Sequence, residues 1–554
     1  MRNKYKPQKS YGLNDPLPHT DHAAPKTRRD FLRQGFISGT GSVIGGSIFS
    51  LFANPHAAMA SVSSDLLGLA DDIRPNEANN TDVCKIGEVT GGKIPFICFD
   101  LAGGANIAGS NVIVGQGLGQ ENFLSTAGYS KMGLPGDIIP GLSDTTLAST
   151  MQSTAAGGIS DGNFVNSQLG LKFHSDSAML TGILEKFQSI APGLVDGAVI
   201  PARSDNDTGN NVHNPMYGIA RAGAVGGVAT LIGSRSSESG GNSMAPPMLI
   251  DPTLRPTKVD RPTDVTGMVD VGDLTAILSS PEDVTAVMES MARISHKKIK
   301  QSAPNINATK DEVIRDLIRC GYLKSTDIAD RFAGREVNPD DRNATTPEIV
   351  SNNGGIFTEN EFDTEGEFRK TASVMKMVID GHAGAGTIAM GGFDYHTGDR
   401  STGEARDLRA GRCIGACLEY AAKRNTKLMI YVYSDGSVAS NGILDNSPGG
   451  RGKGNWTGDN SSTACSYFLV FNPNGNITTF ANTGLIDPRQ IGSYSINGSV
   501  VTSATPAANN VNLLVNTVLA NYMALNGDIA NFATTFPNHG LGDFEKMVSF
   551  NPIV

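Results

Sequence analysis

Tryptophan, aromatic and charged side chains are scarce in this sequence. Its 554 residues include 1 Trp, aromatic residues make up 6%, and Asp, Glu, Lys and Arg together make up 18%. So small a charged fraction excludes a coiled coil, and 6 cysteines in a chain of this length exclude a small disulfide-stabilised scaffold. Glycine is abundant instead, with 65 residues. We therefore expect a folded chain with many turns and long loops.

Positive charge is deficient over most of the chain. The formal net charge is -10, and residues 1–60 alone hold eight Lys or Arg against three Asp or Glu, which leaves -15 for the remainder. An acidic body repels polyanions, so we expect no nucleic-acid partner. The same carboxylates are suitable oxygen ligands for hard cations.

Long apolar runs are absent after the N-terminal region. There, a basic stretch with the pair Arg28 and Arg29 precedes a Gly-rich apolar run at residues 35–53, the layout of a twin-arginine export signal. Small residues at 58 and 60 predict cleavage after Ala60. We therefore predict a periplasmic or secreted protein, carried by the twin-arginine export machinery, with no membrane span after cleavage.

Apolar runs of strand length alternate with segments of helical period, above all after residue 367. This alternation predicts an α/β fold of three layers, α/β/α, with a mostly parallel central sheet and crossover helices. We place one such domain at residues 93–554, after a signal at 1–60 and a linker at 61–92. Charged helices and loops at about 246–353 show no strand pattern and predict an insertion.

Three predicted strands end in an acid. Asp100, Asp394 and Asp435 each follow an apolar run, and His396 comes two residues after the second of them. Loops at the carboxyl ends of parallel strands meet at one edge of the sheet, so we expect these side chains to converge. Clustered carboxylates repel unless a cation neutralises them, which predicts a divalent metal (Mg, Ca, Mn or Zn) and metal-assisted hydrolysis. The alternative for any single aspartate is capping of its own loop.

The cysteines favour core packing over a disulfide framework. Cys98 falls in a predicted buried strand, and Cys413 and Cys417 lie one turn apart on one face of a predicted helix. A bridge between Cys84 and Cys98 is the alternative.

Three segments, in the same order along the chain as the motifs of a known family, resemble those motifs. Residues 99–106, 391–396 and 433–442 are similar to motifs of the twin-arginine-exported domain of unknown function 1501, in the alkaline phosphatase and sulfatase superfamily. The resemblance spans about residues 93–480 and implies an alkaline-phosphatase-like fold. It also implies metal-ligand roles for Asp100, Asp394, His396 and Asp435.

The chain departs from the family pattern at several positions. Asn106 stands where the family has Asp, and the closing Asp-His-Gly corresponds at best to residues 459–461, so Asp459 is a further candidate ligand and one imidazole is missing. The superfamily nucleophile has one candidate here, Ser204. For substrate binding the candidates are Asn106, His213 and the glycine-rich loop residue Arg451.

Two functions remain open at this point. The first is an exported metal-dependent hydrolase of small anionic phosphate or sulfate esters. The second is a non-catalytic secreted or cell-surface protein on the same scaffold, with an envelope or secretion protein as its partner.

Overall fold

The structure is a computed structural model that describes most of the chain from residue 63 onward. The described residues are 63–71, 73, 92–143, 161–204, 211–269, 278, 280–301, 308–332 and 337–554. The predicted export signal with Arg28, Arg29 and Ala60, and most of the predicted linker, lie outside them. None of the helices in the described part combines the length and apolar character needed to span a bilayer.

Seven strands form the central sheet of the described chain, in the order β4-β11-β8-β1-β7-β5-β6. Neighbours β6, β5, β7, β1 and β8 run parallel, whereas β11 is antiparallel to both β8 and β4. Two separate hairpins pair β2 with β3 and β9 with β10. The strand bounds are β1 Phe96–Leu101, β2 Val165–Leu169, β3 Leu171–His174, β4 Val195–Pro201, β5 Ala229–Gly233, β6 Thr257–Lys258, β7 Ala383–Met390, β8 Leu428–Ser434, β9 Val438–Asp445, β10 Lys453–Asp459 and β11 Cys465–Phe471.

Helices cover both faces of this sheet, and each face has its own buried apolar cluster. The central strands are buried at every position, which explains why they read in the sequence as continuous apolar runs rather than as alternating ones. The helix bounds are α1 Ser64–Asp71, α2 Thr126–Lys131, α3 Ala178–Lys186, α4 Met216–Arg221, α5 Pro262–Val269, α6 Pro281–Gln301, α7 Ala308–Phe332, α8 Glu359–Thr364, α9 Gly366–Ile379, α10 Arg400–Lys423, α11 Val511–Leu525 and α12 Phe532–Thr535.

The predicted fold class is confirmed: a mostly parallel sheet lies between helical layers. The expectation that residues 246–353 contain no strand is wrong at Thr257–Lys258, where β6 pairs with β5 and extends the sheet by one edge strand. A strand of two residues is too short to form an apolar run, so the local sequence did not predict β6. The remainder of that range holds α6 and α7, as its charged helical pattern predicted, and a third helix, α5, that was not predicted.

Core packing is confirmed for Cys98, Cys413 and Cys417, which are free and buried, and Cys465 is free and buried as well. The alternative bridge between Cys84 and Cys98 is therefore wrong. Cys320, on α7, is disulfide-bonded. Cys84 is the one cysteine left and lies outside the described residues.

Candidate functional site

One edge of the sheet, here called the rim, is formed by the loops that follow β1, β4, β5, β7 and β8. Strands β1, β5, β7 and β8 are parallel, so their carboxyl ends share this edge. Strand β4 ends there too, because it is antiparallel to β11, which is itself antiparallel to β8. The rim is thus where an open α/β sheet places a ligand site.

The Asp100 side chain, at the end of β1, is held by the loop after β5. Its Oδ2 accepts hydrogen bonds from the main-chain N–H groups of Asn242 (2.6 Å) and Ser243 (2.8 Å), and its Oδ1 lies 3.3 Å from the Ser243 hydroxyl. Gly241 makes this cradle possible, because a Cβ at that position would lie 2.6 Å from Asp100 Oδ2. The backbone therefore approaches the carboxylate as closely as a glycine allows.

The Asp435 side chain, just after β8, bonds to the turn that follows β1. Its Oδ1 accepts a hydrogen bond of 2.8 Å from the N–H of Gly103, and its Oδ2 lies 3.5 Å from the side-chain nitrogen of Asn242. Gly103 also packs against the main chain of Asp394, where a Cβ would overlap that backbone. The Gly103 turn thus joins the ends of β1, β7 and β8.

The charge of Asp435 acts on Asp100. Burial first, and the nearby charge of Asp435 with it, raise the pKa of Asp100 to about 6 against the Ser243 and Asn242 hydrogen bonds, which lower it. A buried acid with a raised pKa at a sheet rim is a common property of functional sites.

The third acid behaves differently. Asp394 points its carboxylate toward His396, whose Nε2 lies 2.8 Å from Asp394 Oδ1. The Asp394 side chain is 52% exposed and that of His396 30%. Both therefore form a solvent-accessible pair beside the buried Asp100 and Asp435.

Ser204 and His213 form a buried pair at the same rim. The Ser204 hydroxyl oxygen lies 2.7 Å from His213 Nε2 and 2.7 Å from the main-chain oxygen of Asp435. The side-chain nitrogen of Asn211 donates to the same carbonyl oxygen, so that oxygen stays satisfied when the hydroxyl proton turns to the imidazole. Sequence reasoning proposed these two residues for separate roles, and the structure brings them into contact.

The His213 ring is enclosed. It stacks on Tyr433 with ring centroids 5.7 Å apart, and among the described residues its Nδ1 has no hydrogen-bond partner. Burial lowers the pKa of His213 to about 3, so the ring is neutral near pH 7 and its protonation costs more free energy than in water.

A resident divalent metal would need several rim side chains to converge on one point. Within the described part of the chain, no group of three or more His, Cys, Asp and Glu side chains is arranged to hold one. Both oxygens of Asp100 face donors of Asn242 and Ser243, and Asp394 is paired with His396. The residues as they stand do not fit a resident metal, so no reaction step is derived through one.

Asn106 and Asp459 lie apart from the two buried acids. The Asn106 side chain donates to Ser110 and its N–H to the Tyr395 hydroxyl (2.7 Å), so it fastens the turn after β1. Asp459 ends β10 opposite Val438, with its side chain exposed.

Arg451 belongs to a buried ionic cluster, not to a flexible cradle. It pairs with Asp176, and its fully buried neighbour Lys453 lies 2.9 Å from Glu404 and donates to the Asp176 main-chain oxygen at 2.7 Å. Arg400 completes the cluster by pairing with Glu404. The glycine-rich loop thus places the charged side chains of Arg451 and Lys453 against buried carboxylates. The prediction of a substrate-binding role for Arg451 receives no geometric support.

Sequence reasoning missed Gly241, Asn242, Ser243 and Asn211. The first three lie in an irregular Ser- and Gly-rich loop after β5, and nothing in their pattern announces contact with a carboxylate 142 positions away. Beside them, a small cavity of about 150 Å³ is lined by Ser239, Asn242 and Met244, among others.

Comparison of the chain with models of protein families, with curated proteins and with solved structures gave no significant match. The resemblance to the domain of unknown function 1501 therefore stays a prediction.

Proposed function

We propose that the chain is an exported hydrolase of phosphate or sulfate esters whose reactive group is the Ser204 hydroxyl. The contact between Ser204 and His213, 2.7 Å long and placed at the carboxyl ends of the strands, is the observation that supports this most. A hydroxyl within hydrogen-bond reach of a neutral imidazole is the arrangement of an activated nucleophile.

The reaction proceeds in two steps. Ser204 Oγ forms a bond to the phosphorus or sulfur atom while its proton passes to His213 Nε2, and the bond to the leaving oxygen breaks as the imidazolium gives that proton to it. Water then attacks the phosphorus or sulfur of the seryl ester and gives a proton to the neutral imidazole, and the bond to Ser204 Oγ breaks as this oxygen takes that proton back, which releases the inorganic anion.

The surroundings of His213 favour an anionic substrate. Because burial lowers its pKa to about 3, forming the imidazolium costs ~5 kcal/mol more than in water. In a serine triad a carboxylate compensates for that cost, but none contacts His213 among the described residues. A negatively charged ester bound at Ser204 supplies the counter-charge, which is the reason for choosing phosphate or sulfate over neutral esters.

A specific observation favours the second candidate, a non-catalytic secreted or surface protein. The carboxylates of Asp100 and Asp435 repel an anionic ester, and the described residues show no assembled group of metal ligands to offset them. In that case the hydrogen bonds at the rim hold the loops in place for contact with an envelope partner.

The deciding experiment is hydrolysis of a panel of aryl phosphates and aryl sulfates. Protein stripped with a chelator is assayed before and after reloading with Mg, Ca, Mn or Zn, because a cation at Asp100 and Asp435 would remove the repulsion. Ser204→Ala is expected to lower kcat/KM by at least ~10³ and His213→Gln by ~10²–10⁴. Asp394→Ala tests the exposed pair in the same way.

Ser373→Ala is the matched control, since this buried hydroxyl only donates to the Arg369 carbonyl within α9. Its activity should equal that of the wild type. If wild-type protein turns over no ester with any of the metals, the hydrolase proposal fails. A stoichiometric partner recovered with the protein from the cell envelope then supports the second candidate.

A further inference from the structure

Helices α6 and α7 form an antiparallel hairpin with an exposed apolar surface at one end. The base of the hairpin packs into the main core through Val284, Met288 and Ile328. Its distal part packs on α1 instead, through a small cluster that contains Leu66, Ala292, Cys320 and Leu323. Beyond that cluster lies the segment here called the tip, residues 294–301 and 308–319.

The tip shows apolar side chains where a soluble helix would have polar ones. On α7, Ile314, Leu317 and Ile318 are 50%, 37% and 42% exposed. Their spacing of three and four places them on one face, opposite the buried Cys320 and Leu323. On α6, Ile294 is 55% exposed. Such clustering at one end of a hairpin marks an interaction surface.

Positive charge accompanies these apolar residues. Lys297 and Lys298 share a face with Ile294, are exposed, and take part in no ion pair with the residues that the structure describes. Residues 294–319 hold six Lys or Arg and three Asp or Glu, a balance of +3 in a chain whose net charge is -10. The tip is therefore a positively charged region of a protein whose net charge is negative.

The tip is held in a fixed shape. Arg319 on α7 lies 3.0 Å from Nε2 and 3.3 Å from Nδ1 of His296 on α6, and it pairs with Asp316 at 2.7 Å. Arg315 donates to the Ile299 carbonyl at 3.0 Å. These bonds lock the two helices, so the exposed isoleucines cannot turn inward without breaking them.

We propose that this tip docks on an anionic lipid surface. Apolar side chains flanked by lysines on a helix are the chemistry that inserts between lipid headgroups while the ammonium groups contact phosphates. Charge complementarity favours an anionic occupant, because the segment 294–319 has a balance of +3 in a chain whose net charge is -10. The proposal does not depend on the proposed hydrolase function.

The test is co-sedimentation of protein from the exported fraction with vesicles. Vesicles of phosphatidylglycerol and phosphatidylcholine are compared with vesicles of phosphatidylcholine alone, at low and at high salt. The wild type should bind the anionic vesicles at low salt, and each lysine should contribute about fivefold to the partition coefficient. Lys297→Ala/Lys298→Ala should therefore weaken binding ~30-fold, and Ile314→Ser/Ile318→Ser at least tenfold.

The control is Ile486→Ser/Ile496→Ser, which removes two other exposed isoleucines, 71% and 51% exposed. It should bind as the wild type does. No binding by the wild type, or equal binding by the tip variants, overturns the proposal. Self-association in sedimentation velocity that only the tip variants lose also overturns it, because a second copy is then the occupant. Ester hydrolysis, measured on soluble substrate, is unchanged in every tip variant, so the two proposals fail separately.

Discussion

The hydroxyl of Ser204 lies 2.7 Å from the Nε2 of His213, at the sheet edge where strands β1 and β8 end and place their aspartates. Both residues also depend on β8: Ser204 contacts the Asp435 carbonyl, and the His213 ring stacks on Tyr433. The same strand end thus holds a carboxylate, a hydroxyl and an imidazole in fixed relation. That coincidence, and not the metal cluster expected from three strand-end acids, defines the candidate site in the described chain.

The Gly103 turn should be the most sensitive backbone position at the rim. Gly103 has φ +123°, and a Cβ there would overlap the main chain of Asp394. Gly103→Ala therefore adds a steric overlap to backbone strain of ~1–3 kcal/mol. We expect the free energy of unfolding, measured in denaturant, to fall by more than that strain alone.

Gly398→Ala is the matched control for this substitution. Gly398 also has a positive φ, +83°, but a Cβ added there would meet no atom within 4 Å. The free energy of unfolding of Gly398→Ala should therefore fall only by the backbone strain. Equal losses in the two variants would show that the contact between Gly103 and Asp394 contributes nothing.

Lys453 should be essential for stability although it lies in a glycine-rich loop. Its ammonium group is fully buried between Glu404 and Asp176. Burial acts to raise the pKa of Glu404, but the charges of Lys453 and Arg400 outweigh it and lower the pKa to about 2. Lys453→Met leaves Glu404 short of a partner, and breaking a buried pair costs ~3–5 kcal/mol of unfolding free energy.

Thermal and denaturant unfolding of Lys423→Met give the comparison. Lys423 is exposed on α10 and lies 3.7 Å from Glu419, whose buried carboxylate keeps its hydrogen bonds from Ser189, so the loss of this long pair should cost only ~0–1 kcal/mol. A loss for Lys453→Met as small as that for Lys423→Met would contradict a structural role of the buried cluster.

The cysteine chemistry is directly measurable. Cys320 is disulfide-bonded, while Cys98, Cys413, Cys417 and Cys465 are free and buried. An unreduced digest should therefore contain the Cys320 peptide as part of a cross-linked species that separates on reduction. The four free thiols should be alkylated only after denaturation. Recovery of Cys320 as a free thiol from exported protein would contradict the bond, which requires an oxidising compartment.

The sequence predicted strands β1 and β8 of the central sheet because their evidence is local. They are continuous apolar runs followed at once by an acid, and burial on both faces enforces that pattern. Strand β7 begins earlier than its apolar residues predict, at Ala383, because its glycine-rich first half carries little apolar signal, and strands β5 and β6 were not predicted.

The parts of the site that escaped prediction depend on contacts between distant residues. Asn242 and Ser243 reach Asp100 through loop geometry, and the glycine-rich segment before β10 looks like a flexible cradle until Lys453 is seen to be buried. Neither the contacts of Asp100 nor the burial of Lys453 can be predicted from the spacing of residues along the chain. Ser204 and His213 were recognisable as reactive types, but only the fold brings them together.

Asp407 should make stability depend on pH over a wide range. Burial first, and the charge of Glu404 with it, raise the pKa of this carboxyl to about 8, against the Asn111 hydrogen bond and the charges of Arg400 and Lys453, which lower it. Because the pKa in the folded state lies above the ordinary value of 3.8, the contribution is complete below about pH 4 and is lost as the pH rises through about 8. The loss between these limits is on the order of 5 kcal/mol. Asp407→Asn keeps an acceptor for Asn111 but cannot ionise, so the difference in unfolding free energy between wild type and variant should decline from pH 4 to pH 8. A difference that stays constant over that range would show that Asp407 ionises in the folded protein as it does in the unfolded chain.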